Sequence, residues 1–246
     1  MTYCVAMNLA DGMLFASDSR TNAGVDQVAT FRKMQRFERP GERLLVLLSA
    51  GNLATTQSVV SLLRQRALRG EAAAHILDTP SMYDAACLVG ETLREIAQRD
   101  GAALSQSNIE VGSSFLLGGQ IRGEPPRLFN IYPQGNFIES TDDTPYFQLG
   151  EAKYGKPIID RVVGYRTPLE EAATCALISF DSTMKSNLSV GLPIDLLRYD
   201  RDAFDRGRHK RITEQDRYFQ ALHQGWGRAL RKAFAALPRM DWDRAD

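Results

Sequence analysis

Residues 3–19 read YCVAMNLADGMLFASDS. Two short apolar runs, YCVAMNL (3–9) and MLFASDS (13–19), flank Ala10-Asp11-Gly12, and Asp-Gly supplies the positive φ that a tight hairpin needs. This predicts an antiparallel strand pair with Thr2, Cys4 and Ala6 on one face of its first strand. Working outward, a third strand is expected around FRKMQRF (31–37) and a fourth over RLLVLLSA (43–50), with Pro40 and Gly41 of ERPGE marking the turn between them. After Gly51-Asn52 the spacing becomes helical over LATTQSVVSLLRQRAL (53–68), up to Gly70 as the expected C-cap.

Thr79-Pro80 signals the start of a second helix, in which Met82, Ala85, Val89, Leu93 and Ile96 form one apolar stripe. Strands resume with SSFLLGGQ (113–120), RLFNIYP (127–133) and PYFQLG (145–150). Thr167-Pro168-Leu169-Glu170 has the form of a capping box and opens a helix through ATCALISFDSTM (173–184). A strand pair is expected around LSVGLPIDLLRYD (188–200). A last helix follows from Thr213, with Phe219, Leu222, Trp226, Leu230 and Phe234 on one side, and ends before Pro238. Strand blocks that bracket helix pairs imply two sheets face to face with helices outside. The expected organisation is a single domain over 1–246, with a helical C-terminal extension from about residue 200.

Lys plus Arg and Asp plus Glu each total 30 in 246 residues, so no net field favours nucleic acid or an anionic membrane. Three widely spaced cysteines, Cys4, Cys87 and Cys175, argue against a disulfide framework and for a reducing compartment. No apolar run reaches the length of a membrane span. The chain is expected to be cytoplasmic. His75, His209 and His223 lack the spacing of a zinc site, and no phosphate-binding or dinucleotide-binding glycine pattern is present, so no cofactor or metal is expected. The basic stretch DRGRHKR (205–211) reads as a solvated or subunit-facing segment.

The chemistry begins at the N-terminus. An initiator Met is removed when a small residue follows, and a chain that starts at Thr2 carries a hydroxyl and a free α-amine on one residue. An α-amine has a pKa of about 7.7–8.0, so it can accept the hydroxyl proton near neutral pH. Asp18, at the end of the second strand, and Lys33, in the third, could converge on Thr2. A positive charge about 4 Å from the hydroxyl, at an effective dielectric of about 20, is worth roughly 4 kcal/mol toward a developing alkoxide. Asp18 would hold Lys33 in place. Gly51, at a strand-to-helix corner, can offer an unobstructed backbone N–H to an oxyanion.

Thr2, S-D-S-R at 17–20, Lys33 within F-R-K-M and S-A-G-N at 49–52 together resemble the threonine proteases of the proteasome β-subunit type, within the N-terminal nucleophile hydrolases. GEAKYGKPIIDR (150–161) and SFDSTMKSNLSVG (179–191) look closest to the bacterial proteasome-related group called Anbu, the ancestral β-subunit. The resemblance spans nearly the whole chain. It implies an αββα sandwich of the α+β class, peptide hydrolysis through an acyl-enzyme on Thr2, and a homo-oligomer in the form of a ring or an open helix. By the family's motif, Arg20 and Ser189 would support the site, while Thr21, Phe31, Gln35 and Ser49 would line the substrate pocket. Two positions depart from the pattern. Gly150-Glu151-Ala152 stands where a β-subunit has Gly-Ser-Gly, and Ser186 stands where a supporting Asp is expected. The implied substrate is a peptide or unfolded protein, with an ATP-dependent partner left open; the alternatives are a proteasome-like scaffold with little activity and a narrow amidase for small substrates.

Overall fold

The computed structural model describes residues 2–22, 28–69, 75–106 and 112–240, which leaves Gly70 and its expected cap outside the described residues. The opening hairpin is formed by β1 (Tyr3–Leu9) and β2 (Gly12–Asp18), antiparallel, with Leu9 opposite Gly12. The two-residue turn is therefore Ala10-Asp11, one position ahead of the expected Asp-Gly. Gly12 is needed for another reason: at φ +143 it presses against a neighbouring strand, and a Cβ there would lie 2.1 Å from the Tyr199 carbonyl oxygen.

Side-chain alternation along this hairpin builds the layers. Tyr3, Val5, Met7 and Leu9 join Leu14 and Ala16 against Ile159, Leu169, Ala172, Ala176 and Phe180 of two helices, α3 (Ala152–Val162) and α4 (Leu169–Ser186). Cys4, Ala6, Met13 and Phe15 point the other way, onto Leu44, Val46, Leu48, Leu116 and Leu128 of a second sheet. Antiparallel strands that are apolar on both faces have no face left for solvent, so a layer must cover each side. The fourth expected strand behaves likewise. In β6 (Arg43–Gly51), Leu44, Val46 and Leu48 face the first sheet, while Leu45 and Leu47 pack outward on Val59, Leu63, Met82, Val89 and Leu93 of α1 (Leu53–Arg69) and α2 (Met82–Gln106).

Among the described residues, one sheet has the order β10-β1-β2-β11-β12 and the other β5-β6-β7-β8-β9. Here β5 is Met34–Arg39, β7 Ser113–Ile121, β8 Arg127–Ile131, β9 Phe137–Glu139, β10 Tyr146–Gly150, β11 Ile194–Asp200 and β12 Arg208–Ile212. A small ribbon of β3 (Arg20–Asn22) and β4 (Val28–Thr30) stands beside them. This is the four-layer αββα sandwich of the α+β class.

Several boundaries differ from expectation. The third strand starts at Met34, so Lys33 sits just ahead of β5. The cap of α2 is Ser81, whose hydroxyl accepts the Asp84 N–H at 3.1 Å, whereas the Thr79 hydroxyl donates to the Ile76 carbonyl. Thr167 forms no capping box because its hydroxyl accepts the Gly164 N–H. Residues 188–200 hold one strand, β11, whose neighbours are β2 and β12. The C-terminal segment is thus not helical throughout: it adds an edge strand before α5 (Arg217–Ala235), which is capped by Asp216 rather than started at Thr213.

Candidate active site

Four elements deliver their ends to one place. The Tyr3 N–H, directly after Thr2, donates to Asp18 Oδ1 at 3.0 Å, which ties the start of β1 to the end of β2. On the other side the Thr2 carbonyl accepts the Glu151 N–H at 2.8 Å. Gly150 follows so closely, at φ +77, that a Cβ would lie 1.8 Å from the Thr2 carbonyl oxygen. The backbone of Thr2 is therefore held between β2 and the turn from β10 into α3.

Lys33 is fixed just as tightly. Its Nζ donates to Asp18 Oδ1 at 2.7 Å and to the Arg20 carbonyl at 2.6 Å, and its own carbonyl accepts the Ser49 N–H of β6 at 3.1 Å. Lys33 is 6 % exposed and Asp18 0 %, so this is a buried pair, which is tolerated only when both charges are well partnered. An ammonium has three N–H donors, and Asp18 and Arg20 take two of them. Burial pushes the Asp18 carboxyl above the ordinary carboxylate range, opposed by the Lys33 charge and by the hydrogen bonds from Lys33 and Tyr3. The nearby Cys4 thiol is also raised, chiefly by burial, and packs between the sheets as a small core residue.

Gly51 ends β6 at φ +111, and a Cβ there would meet the Gly112 carbonyl oxygen at 2.3 Å. Only glycine suits this corner. Asn52 follows and caps α1 by accepting the Thr55 N–H at 3.2 Å. Thr2, Lys33 and Gly51 all line one cleft of about 700 Å³, together with Thr21, Phe31, Gln35, Ser49 and Glu151. The Gln35 amide is oriented from both ends, accepting from Arg64 at 2.6 Å and donating to the Arg32 carbonyl at 3.2 Å.

Of the remaining named residues Glu151 lines the cleft, whereas the side chains of Arg20, Ser189 and Ser186 lie elsewhere. The Arg20 guanidinium reaches the loop after α4, donating to the Leu188 carbonyl at 2.9 Å and lying against Gly191. Ser189 is on that same loop, its N–H bonded to Asn187 Oδ1. Neither side chain is among the described residues that line the cleft; Arg20 contributes through its carbonyl. Ser186 is exposed at the last turn of α4 and faces the groove against His223 and Trp226 of α5, so the structure does not bring it to Thr2. Glu151 occupies the N-cap position of α3 without making a side-chain cap, and its carboxylate stands 3.7 Å from Lys153 Nζ.

Sequence reasoning missed the far wall. Thr56 and Val60, with Gln57 and Ser61, line the cleft from α1 at i, i+4 spacing. The signal lay in the short distance from the Gly51 corner, which obliges the first turns of the helix to flank it. Among the described residues, no group of three or more His, Cys, Asp and Glu could hold a metal ion, and no helix is long and apolar enough to cross a membrane.

No family model matches the chain. A proteasome subunit beta from Haloquadratum walsbyi is 25% identical over 221 residues, which cover 87% of this chain and 79% of that protein. Among solved structures, Anbu (ancestral β-subunit) from Yersinia bercovieri is 58% identical with a TM-score of 0.93, covering 99% of this chain and 100% of that one. The Anbu complex from Pseudomonas aeruginosa, solved as a helical assembly, is 56% identical with a TM-score of 0.94, over 99% of this chain and 100% of that one. Anbu from Hyphomicrobium sp. strain MC1 is 52% identical with a TM-score of 0.89, over 98% of this chain and 100% of that one.

Proposed function

The chain belongs to the Anbu (ancestral β-subunit) family, and on that footing we propose that it hydrolyses peptide bonds through Thr2 after removal of Met1. The observation that carries this reading is the buried Lys33 ammonium, fixed by Asp18 and the Arg20 carbonyl at the wall of a cleft that Thr2 and Gly51 also line. Thr2 Oγ1 adds to the peptide carbonyl carbon while the freed α-amine takes its proton. The Lys33 charge favours the developing alkoxide and, by like-charge repulsion, the neutral amine. The Gly51 N–H bonds the oxyanion. The C–N bond then breaks, the leaving amine takes the proton from the Thr2 ammonium, and water hydrolyses the ester with the same amine as base. Replacing Thr2 by Ala should abolish turnover of peptides and covalent labelling by an electrophilic peptide while leaving assembly intact. Equal labelling of the Ala variant would overturn the reading.

The protein acts in the cytoplasm as a homo-oligomer. The helical assembly of the Pseudomonas aeruginosa complex supports the homo-oligomer, as do the exposed Leu230, Phe234, Leu237 and Met240 in and beyond the last turns of α5, apolar surface that a neighbouring copy would bury. Monomers at micromolar concentration in sedimentation would contradict it. A second reading, an assembly with little activity, is favoured by Glu151: a carboxylate in the cleft beside Thr2 can hold the α-amine as an ammonium, which cannot accept a proton. Retained Met1 in the intact mass would support that reading, and turnover of small amides but not peptides would point to a narrow amidase.

A further inference from the structure

Asp195, on β11, is 1 % exposed, and donors from two other segments surround its carboxylate. Arg211 Nη1 donates to its two oxygens at 2.8 and 2.7 Å, His209 Nε2 lies 3.1 Å from Oδ1, and Ser19 Oγ donates to Oδ2 at 3.2 Å. The strand pairing sets this up, since β11 lies between β2 and β12 and Asp195 stands opposite Ser17 on one side and Arg211 on the other. The proposed mechanism uses none of these side chains.

What matters is where Ser19 sits. It falls between Asp18 and Arg20, the two residues that hold the Lys33 ammonium, in the break between β2 and β3. Its side chain is fully buried, and its carbonyl accepts the Phe31 N–H at 2.9 Å, two residues before Lys33. The Asp18 carboxylate and the Arg20 carbonyl thus project from the residues on either side of Ser19, whose side chain is pinned to Asp195. The Phe31 N–H fixes the backbone of Ser19 in continuation of the β3–β4 ladder, and the bond to Asp195 fixes its side chain.

We infer that Asp195, acting through Ser19, is a positioning residue for Lys33. It holds the Asp18–Arg20 link between β2 and β3 so that both acceptors meet the ammonium at once. Arg211 and His209 keep Asp195 oriented from β12, and Arg211 Nη1 also reaches Ser19 Oγ at 3.5 Å, so the last strand is connected to the cleft through Ser19 both directly and by way of Asp195. A bland ion pair that merely staples β11 to β12 would contribute to stability and leave Lys33 unchanged. The inference rests on the reading of Lys33 as part of the peptidase site.

The test compares the wild type with Ser19→Ala, which removes one hydroxyl, and Asp195→Asn, which keeps the shape but not the charge. With a peptide vinyl sulfone, the limiting inactivation rate should fall at least ten-fold in Ser19→Ala and in Asp195→Asn, while the half-saturating concentration changes less than two-fold. A second measurement needs no turnover: acetylation of Lys33 by acetic anhydride, followed by peptide mass, should become at least five-fold faster in both variants. Unchanged limiting rates, or a lower Tm as the sole defect with Lys33 acetylation at the wild-type rate, would overturn the inference. If the wild type is not labelled at all, the peptidase reading fails, and the acetylation rates alone decide whether Asp195 positions Lys33.

Discussion

The cleft end of the first sheet and the far end of α5 break the usual rule of burial in opposite directions. Beside the cleft, Asp18 and Lys33 are charged and nearly inaccessible, as is Asp195 behind them on β11. At the end of α5, Phe234 is 79 % exposed, with Leu230, Leu237 and Met240 beside it. Between these regions the three apolar clusters follow the rule, and they define the layers and little else. The contrast separates two kinds of information. Obedient residues report the fold, whereas the buried charges are held by partners within the chain, Asp18 with Lys33 and Asp195 with Arg211, and the exposed apolar surface is what contact with another molecule would bury.

The largest effect should come from removing the buried cation. Lys33→Ala is expected to lower the limiting rate of labelling at Thr2 by about a thousand-fold, consistent with the loss of a group poised for proton transfer and charge stabilisation. Labelling within ten-fold of wild type would break the assignment of the cleft as catalytic. Gly51→Ala should cost about a hundred-fold in the same assay and about 1–3 kcal/mol of stability, because a non-glycine residue is forced to positive φ against the Gly112 carbonyl. Denaturant melts alongside the labelling assay separate the two contributions.

The other side of the contrast is sharpened by Phe234→Asp. It should weaken association at least ten-fold in sedimentation while changing the monomer's melting temperature little, since the side chain is mostly exposed. An unchanged oligomer would mean that this apolar end serves no subunit contact. The smallest effect is expected from Glu151→Ser: if the carboxylate holds the α-amine as an ammonium, labelling near neutral pH should rise about three- to ten-fold, the gain shrinking as pH rises and the amine deprotonates anyway.

How much of this was legible from the residues follows from the same distinction. Runs such as YCVAMNL, MLFASDS and RLLVLLSA carry their layers in their own composition, so the sandwich could be read directly. The helix α3 could not, because Gly155 and Pro157 break its pattern. It forms where tertiary contact selects it, with Gly155 so close to Tyr3 that a Cβ would lie 2.4 Å from the hydroxyl oxygen. The edge strand β12 was hidden for a related reason: RHKRI buries Ile212 alone and otherwise reads as a solvated charge run. Thr2, Lys33 and Gly51, singled out by spacing and chemistry, and Thr21, Phe31, Gln35 and Ser49, given by the family's motif, line one cleft. Ser186 was placed by motif alone, and it stands exposed at the end of α4 on the groove against α5. The Ser19–Asp195 bond joins residues 176 apart in sequence, and only the adjacency of β2 and β11 creates it.

The most direct test is to treat the wild-type protein with an electrophilic peptide and sequence the labelled N-terminal fragment by tandem mass spectrometry. The expected result is a fragment that lacks Met1 and carries the adduct on Thr2. A fragment that retains Met1 throughout, or an adduct found on another residue with Thr2 unmodified, would contradict the terminal threonine as both nucleophile and base.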